Sequence, residues 1–296
     1  MDEKFKKYNM SYNFLKKEDL SKYSWFNLGG PAEILFKPDN VDQILSFFKD
    51  QKKEVNILGA GSNTLIRDKG VKGVTIKLSP KFSYIDWIEN NIIKVGAATL
   101  DKKLSDFGVK NSIKGFEFLS CIPGSIGGGI KMNCGCYGEN ISDNLLSVEV
   151  IDTNGKIRNL KKSEIKFTYR DCDLSKNTLI LSANFYAEKG NKKQIQDKTT
   201  SLLDRKQKSQ PRRVKTGGST FKNPVNHKAW ELIKKSDCQN MSVGDASISE
   251  KHCNFFINNG SAKTDQIEKL ISKVRETVLE KTGVKLELEI KIIGEK

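Results

Sequence analysis

The chain has 296 residues, with 51 Lys and Arg against 36 Asp and Glu, a net charge of +15 and a mean hydropathy of −0.51. That length leaves room for two domains, or three small ones, with sizeable cores. Fifteen Phe and regular apolar periodicity argue against disorder. The N-terminal MDEKFKKYNMSYNFLKKEDL lacks a signal-peptide core, and nothing later approaches the ~18 uninterrupted apolar residues of a membrane span. The expectation is a soluble, cytoplasmic protein with no membrane partner. Cys121, Cys134, Cys136, Cys172, Cys238 and Cys253 form no C-x-x-C pair, and His227 and His252 stand far apart, so no metal site is expected. Lys is spread along the whole chain without a basic block. No dedicated nucleic-acid surface is expected, only a general attraction for small anions.

In chain order, Leu28-Gly29-Gly30-Pro31 is a turn feeding a strand over Ala32 to Phe36. Val41, Ile44, Leu45 and Phe48 recur at helical spacing, and Val55 to Leu58 follow as a short buried strand, giving β-α-β. That strand ends in Gly59-Ala60-Gly61-Ser62-Asn63-Thr64-Leu65, a loop placed where α/β proteins bind ligands. Thr64 replaces the third glycine of G-x-G-x-x-G, so this is no Rossmann fingerprint. Strands are expected at Val74 to Leu78 and Asn91 to Ala98, and a short helix face at Leu100, Leu104 and Phe107.

The stretch from Gly115 to Gly138, GFEFLSCIPGSIGGGIKMNCGCYG, gives up side-chain burial and costs extra backbone entropy. A ligand that the backbone must approach closely would compensate, with amide N–H groups facing an anion. Beyond it, Leu146 to Ile151 and Lys156 to Leu160 flank Asp152-Thr153-Asn154-Gly155, an Asn-Gly hairpin. Leu179, Leu181, Ala183 and Phe185 recur at period two as a further strand. Polar, helical residues 188–208 connect to a last unit. There KTGGSTFKNP frees the backbone before Ser219, EKHCNFFIN begins a strand, and Ile267, Leu270, Ile271, Val274 and Val278 form a helical stripe ending at Gly283. In the closing KLELEIKIIG, period two puts Glu287, Glu289 and Lys291 on one face.

Seven motifs in order carry a resemblance: LGGPAE, GAGSNTLIRDKG, GFEFLSCIPGSIGGGIKMNCGCYGENISD, YRDC, GGSTFKNP, SEKHCNFFINNG and LELEIKIIG. With them the chain resembles the UDP-N-acetylenolpyruvoylglucosamine reductases, flavoenzymes of bacterial cell-wall precursor synthesis, in their shorter subclass. The resemblance implies an α+β protein: a two-part FAD-binding region of the vanillyl-alcohol-oxidase (PCMH-like) type followed by an α+β substrate-binding domain. The expected division is 1–78, 79–198 and 199–296, with the extreme C-terminus a candidate to return to the first part. FAD would be held largely by the backbone of Gly59, Ala60, Gly61, Ser62, Asn63, Thr64 and Leu65 and of Ile122, Pro123, Gly124, Ser125, Gly127 and Gly128.

The implied reaction is reduction of an enolpyruvyl ether on a UDP-sugar, with NADPH as hydride donor. Charge developing on the substrate must be stabilised and a proton supplied. The resemblance assigns the proton to Ser219, the substrate carboxylate to Arg170, and assistance at the same centre to Glu289. Tyr169, Lys222 and Asn223 are candidates for contacting the nucleotide-sugar. His252 reads as structural. Cys134 and Cys136 stand where the family often has small residues, and Cys172 where serine is common. Competing readings are another FAD oxidoreductase of the same fold and a non-catalytic nucleic-acid binder. Oligomeric state is left open, a monomer being compatible.

Overall fold

The computed structural model of the protein describes residues 13–50, 54–152 and 154–296. The N-terminal stretch through residue 12 and Thr153 of the expected hairpin turn lie outside the described residues. The chain divides into two compact units. Among the described residues, one holds 13–16, 34–50, 54–60, 73–152 and 154–205; the other holds 17–33, 61–72 and 206–296.

In the first unit the β-α-β start is present. The strand Pro31–Phe36 runs in, the helix Val41–Asp50 follows, and Val55–Ile57 pairs in parallel with the end of Val71–Ile76. The helix buries Ile44, Phe47 and Phe48, and Phe47 packs on Phe36 with ring centroids 4.9 Å apart.

A five-stranded antiparallel sheet forms the rest of this unit, in the order Ile157–Lys161, Leu145–Ile151, Leu179–Tyr186, Ile92–Gly96, Ile85–Glu89. The outer pair is the hairpin that Asn-Gly foretold, with Ile151 opposite Ile157. The central strand departs from the alternating pattern. Ile180 and Ser182 are buried along with Leu179, Leu181 and Ala183, because a middle strand is covered on both faces. Ser182 is satisfied there by donating to the Glu149 carboxylate at 3.0 Å, and Lys94 pairs with the same group at 2.6 Å. The helix Asp101–Asn111 and the segment through Phe116 pack into this core, Phe116 meeting Phe185 edge-on at 5.8 Å.

The second unit is organised around the helix Thr264–Thr282, whose Ile267, Leu270, Ile271, Val274 and Val278 are buried. It packs with the short helix Ala229–Lys235 and a sheet of Ser242–Val243, Ala246–Ile248 and Phe256–Asn258. The helix ends at Gly283, whose φ of 69° is a conformation that glycine adopts without strain. Its other end is held from far away in sequence. The Asp68 carboxylate accepts from the amides of Thr264 and Asp265 at 3.1 and 3.3 Å, while the Thr264 hydroxyl donates to Ile66 O at 2.6 Å.

The expected C-terminal ladder is shorter than its alternation suggested. Regular strand is confined to Lys291–Ile293, which lies parallel to Thr64–Ile66. Between Leu286 and Ile290 the backbone bonds instead to the segment from Thr220 to Lys222.

Removing the cap should be measurable. Asp68→Ala should cost about 1 kcal/mol, within the 0.5–2 kcal/mol range of helix N-caps. Urea denaturation with the midpoint and slope fitted together checks this; an unchanged midpoint would remove the cap from the account.

Candidate active site

In the first unit the two glycine loops meet. A Cβ placed on Gly59 would lie 3.3 Å from the Ser125 hydroxyl and 3.8 Å from Gly128 Cα. The second loop is clamped by the strand-to-helix turn before Asp101. Ile126 N–H donates to Thr99 O at 2.9 Å, Gly127 N–H to Ala97 O at 2.9 Å, and Asp101 N–H to Gly124 O at 3.1 Å. Ile122 N–H is committed to Leu119 O at 3.1 Å, and Pro123 has no N–H. Donors for an anion must therefore come from other positions in the loop. Gly127 acts by closeness, since a Cβ there would stand 3.1 Å from Ala97 Cβ. This narrow glycine-lined backbone fits the pyrophosphate of a dinucleotide such as FAD, which an added side chain would block.

Arg170 is presented by a two-residue turn in the same unit. Phe167–Thr168 pairs with Asp171–Cys172, leaving Tyr169 and Arg170 at the tip, and Arg170 has φ of 57°. A left-handed non-glycine residue at a candidate site is a local strain that its surroundings must hold. Part of that hold is visible: Asn133, itself at φ 40°, donates from its amide to Thr168 O at 2.9 Å. The guanidinium carbon lies 5.0 Å from the centre of the exposed Tyr169 ring. Cys172 is buried with its thiol 3.5 Å from Lys131 O, and burial raises its pKa. Its contact is thus with the last residue of the short helix Ile126–Lys131.

Thr220, the neighbour of Ser219, is bonded to Glu289 in the second unit. Gly217 sits where a Cβ would be 2.4 Å from Phe26 Cε2, and Gly218 takes φ of 81° facing open space, so the chain can deliver Ser219 half-buried. The residues after it are pinned from two sides. Asn254 accepts from Phe221 N–H at 2.9 Å and donates to Phe221 O at 2.8 Å through one side-chain amide, while Asn254 O accepts from Thr220 N–H at 2.7 Å. From the other side, Glu289 N–H donates to Thr220 O and Lys222 N–H to Glu287 O, both at 2.8 Å.

Asn63, in the first glycine loop, does not leave its amide facing outward; it donates to Glu289 O at 3.0 Å, and Asn63 O accepts from Lys291 N–H at 2.9 Å. Gly61 lies in this unit too, at φ 69°, with a Cβ position only 1.8 Å from Tyr23 O. Asn223 accepts from Ala229 N–H at 3.0 Å and so caps the short helix.

Two family models match the chain: an FAD binding domain over residues 34–161, and the UDP-N-acetylenolpyruvoylglucosamine reductase C-terminal domain over residues 210–293. A UDP-N-acetylenolpyruvoylglucosamine reductase of Pelagibacter ubique is 48% identical over 280 residues, covering 93% of each chain. The chain belongs to the UDP-N-acetylenolpyruvoylglucosamine reductase family. The reductase of Rickettsia bellii is 44% identical over 283 residues, covering 95% of this chain and 94% of its own. The crystal structure of the reductase from Thermus caldophilus superposes with a TM-score of 0.84 at 30% identity, covering 96% of this chain and 99% of that one. The fold is accordingly α+β, with an FAD-binding region followed by the reductase C-terminal domain.

Of the residues named from sequence, the structure brings Gly59 against Ser125 and Gly128 in one unit; in the other it bonds Glu289 to Asn63 and to Thr220, the neighbour of Ser219. Arg170 and Tyr169 share a turn in the first unit. Sequence reading missed Asn254 and Lys77. Asn254 was signalled by an amide inside the apolar run HCNFFIN; Lys77 follows a buried strand and carried no signal. No group of three or more His, Cys, Asp or Glu among the described residues could hold a metal ion. His252 packs edge-on against Phe255 and accepts from Asn254 N–H at 3.3 Å, a structural placement.

Asp101, beside the second loop, is fully buried, and neither carboxyl oxygen has a hydrogen-bond partner among the described residues. Burial pushes its pKa up to about 8. The native group then holds its proton across a range where the unfolded one, near 3.9, has released it, so its contribution to stability falls as pH rises from about 4 to about 8. Asp101→Asn lacks this loss. Its stability relative to the parent should climb with pH by up to about 1.4 kcal/mol per unit in that window. Parallel urea titrations from acid to neutral pH check it, and equal slopes for both proteins would refute the assignment.

Proposed function

We propose that the protein is an FAD-containing, NADPH-dependent reductase. It converts the enolpyruvyl ether of UDP-N-acetylenolpyruvoylglucosamine to UDP-N-acetylmuramate, for peptidoglycan precursor synthesis in the cytoplasm. The observation that carries the mechanism is the double pinning of the Ser219 segment, by Asn254 on one side and Glu289 on the other. FAD, when bound, supplies two-electron chemistry, relaying hydride equivalents from NADPH to the enolpyruvyl double bond.

The chain's own residues supply what that chemistry lacks. Ser219 is assigned as proton donor to the substrate carbon that gains negative charge. A hydroxyl is a weak acid and works in this role only when held at hydrogen-bond reach. The fixed amides of Thr220 and Phe221 restrict where the hydroxyl can go, and Gly218 leaves the space before it open. Glu289, whose backbone is tied to Thr220 and Asn63, is assigned to balance charge and proton at the same centre. Arg170 is assigned to the substrate carboxylate, where its planar fork can take two oxygens and spread the developing charge. The strained turn that carries Arg170 supports this role, because strain of that kind is kept where a side chain must be aimed. Tyr169, half-exposed beside it, and Lys222 are assigned to the nucleotide-sugar. Asn223 is given the same role through its amide nitrogen, its oxygen being used as a cap.

Ser219→Ala should keep its yellow colour and accept electrons from NADPH at a near-normal rate, yet turn over the enolpyruvyl sugar ~10²-fold or more slowly. Stopped-flow bleaching followed by steady-state turnover separates the two, and normal turnover would remove Ser219 from the mechanism. Arg170→Ala should impair reoxidation by the enolpyruvyl sugar far more than reduction by NADPH. Equal loss in both halves would assign Arg170 to folding instead.

A further inference from the structure

Lys77 follows the strand Val71–Ile76 and is half-buried in the first unit. Its N–H donates to Phe36 O at 2.9 Å, which fixes the backbone, and its ammonium donates to Gly59 O at 2.5 Å. Gly59 is the residue whose Cα faces the Ser125 hydroxyl and Gly128 across the two glycine loops. The ammonium therefore grips the back of the peptide that joins Gly59 to Ala60.

We propose that Lys77 is a positioning cation of the dinucleotide site, fixing the Gly59–Ala60 peptide and polarising its N–H toward the pyrophosphate of FAD. The inference rests on the FAD reading above. A peptide group that accepts a charged hydrogen bond at its oxygen becomes a stronger donor at its nitrogen, since bonded groups polarise one another. A charged donor also makes about twice the bond of a neutral one. The positive charge itself adds to the field felt by an anion in the loop. No Lys or Arg lies within residues 59 to 66, so the cation reaches this loop only through the sheet.

Lysine suits the position because the grip is on one carbonyl oxygen, which a compact point charge serves well. The ammonium is held under conditions that favour its loss: burial first, then repulsion from Lys37 on the segment after the strand Pro31–Phe36, lower its pKa. The Gly59 carbonyl and the Ser125 hydroxyl, from the two loops, do not titrate. A folded-state pKa lowered in this way means the charge is lost earlier in alkali than for an exposed lysine. The grip on FAD should weaken with it.

The test uses purified holoprotein, measuring the FAD dissociation constant from flavin fluorescence on dilution, across neutral to alkaline pH. Lys77→Met, of similar length without charge, should weaken FAD binding about tenfold or more at neutral pH, equivalent to about 1.4 kcal/mol, and its affinity should be flat with pH. Lys77→Arg should restore neutral affinity to within a few-fold and hold it into alkali, where the parent weakens, because guanidinium stays charged. Melting temperatures of the FAD-saturated variants identify any that fail to fold, and Lys77→Gln then replaces Lys77→Met. Parent-like affinity in the uncharged variants, or a parent alkaline limb that persists in Lys77→Arg, would overturn the proposal while leaving the FAD reading intact. A parent protein that purifies without flavin and takes up none would instead overturn the FAD reading.

Discussion

The exchange of two hydrogen bonds between the Asn254 side-chain amide and the Phe221 backbone is the constraint on which the second unit depends. The segment from Ser219 to Phe221 belongs to no regular sheet, yet Thr220 and Phe221 are fully buried. Buried backbone groups must find partners or the fold loses stability by ~1–3 kcal/mol for each orphan. Asn254 satisfies both polar groups of Phe221, its own carbonyl takes the Thr220 amide, and Glu289 N–H completes the set at Thr220 O. The same bonds that make the segment stable fix where Ser219 sits. Stability and the placement of the proposed proton donor have one cause here.

A parallel economy governs the glycine loops. Their conspicuous feature is backbone that side chains would obstruct, and several of their amides are already bonded within the protein. The loop from Ile122 to Gly128 is held as an edge against Ala97 and Thr99 before any ligand arrives. Glycine there permits close approach, while rigidity comes from the neighbouring turn. A preorganised loop of this kind loses little conformational freedom on binding, which favours affinity.

Charge is used sparingly by comparison. The chain is strongly basic, and three of its cations stand out by what they hold. Arg67 makes a bidentate pair with Glu268 at 2.7 and 2.9 Å and steadies the C-terminal strand through Gly294 O. Lys77 holds a carbonyl, and Arg170 sits on a strained turn.

Much of this was legible in the sequence, and for a definite reason. The β-α-β start, the Asn-Gly hairpin, the helix ending at Gly283 and the two glycine loops are each written within a few neighbouring residues, by apolar period or turn chemistry. The seven ordered motifs carried the family and so the candidates Ser219, Arg170 and Glu289. What tertiary structure alone decided are the partnerships across long separations: Asn63 to Glu289, 226 residues apart; Asp68 to the helix beginning at Thr264; Asn254 to Phe221; and Lys77 to Gly59. It also decided that the central strand is buried on both faces and that regular C-terminal strand is confined to Lys291–Ile293. Local patterns specify which face of an element is apolar, but not which distant backbone group a buried amide or ammonium will meet. That choice is made only when the elements pack.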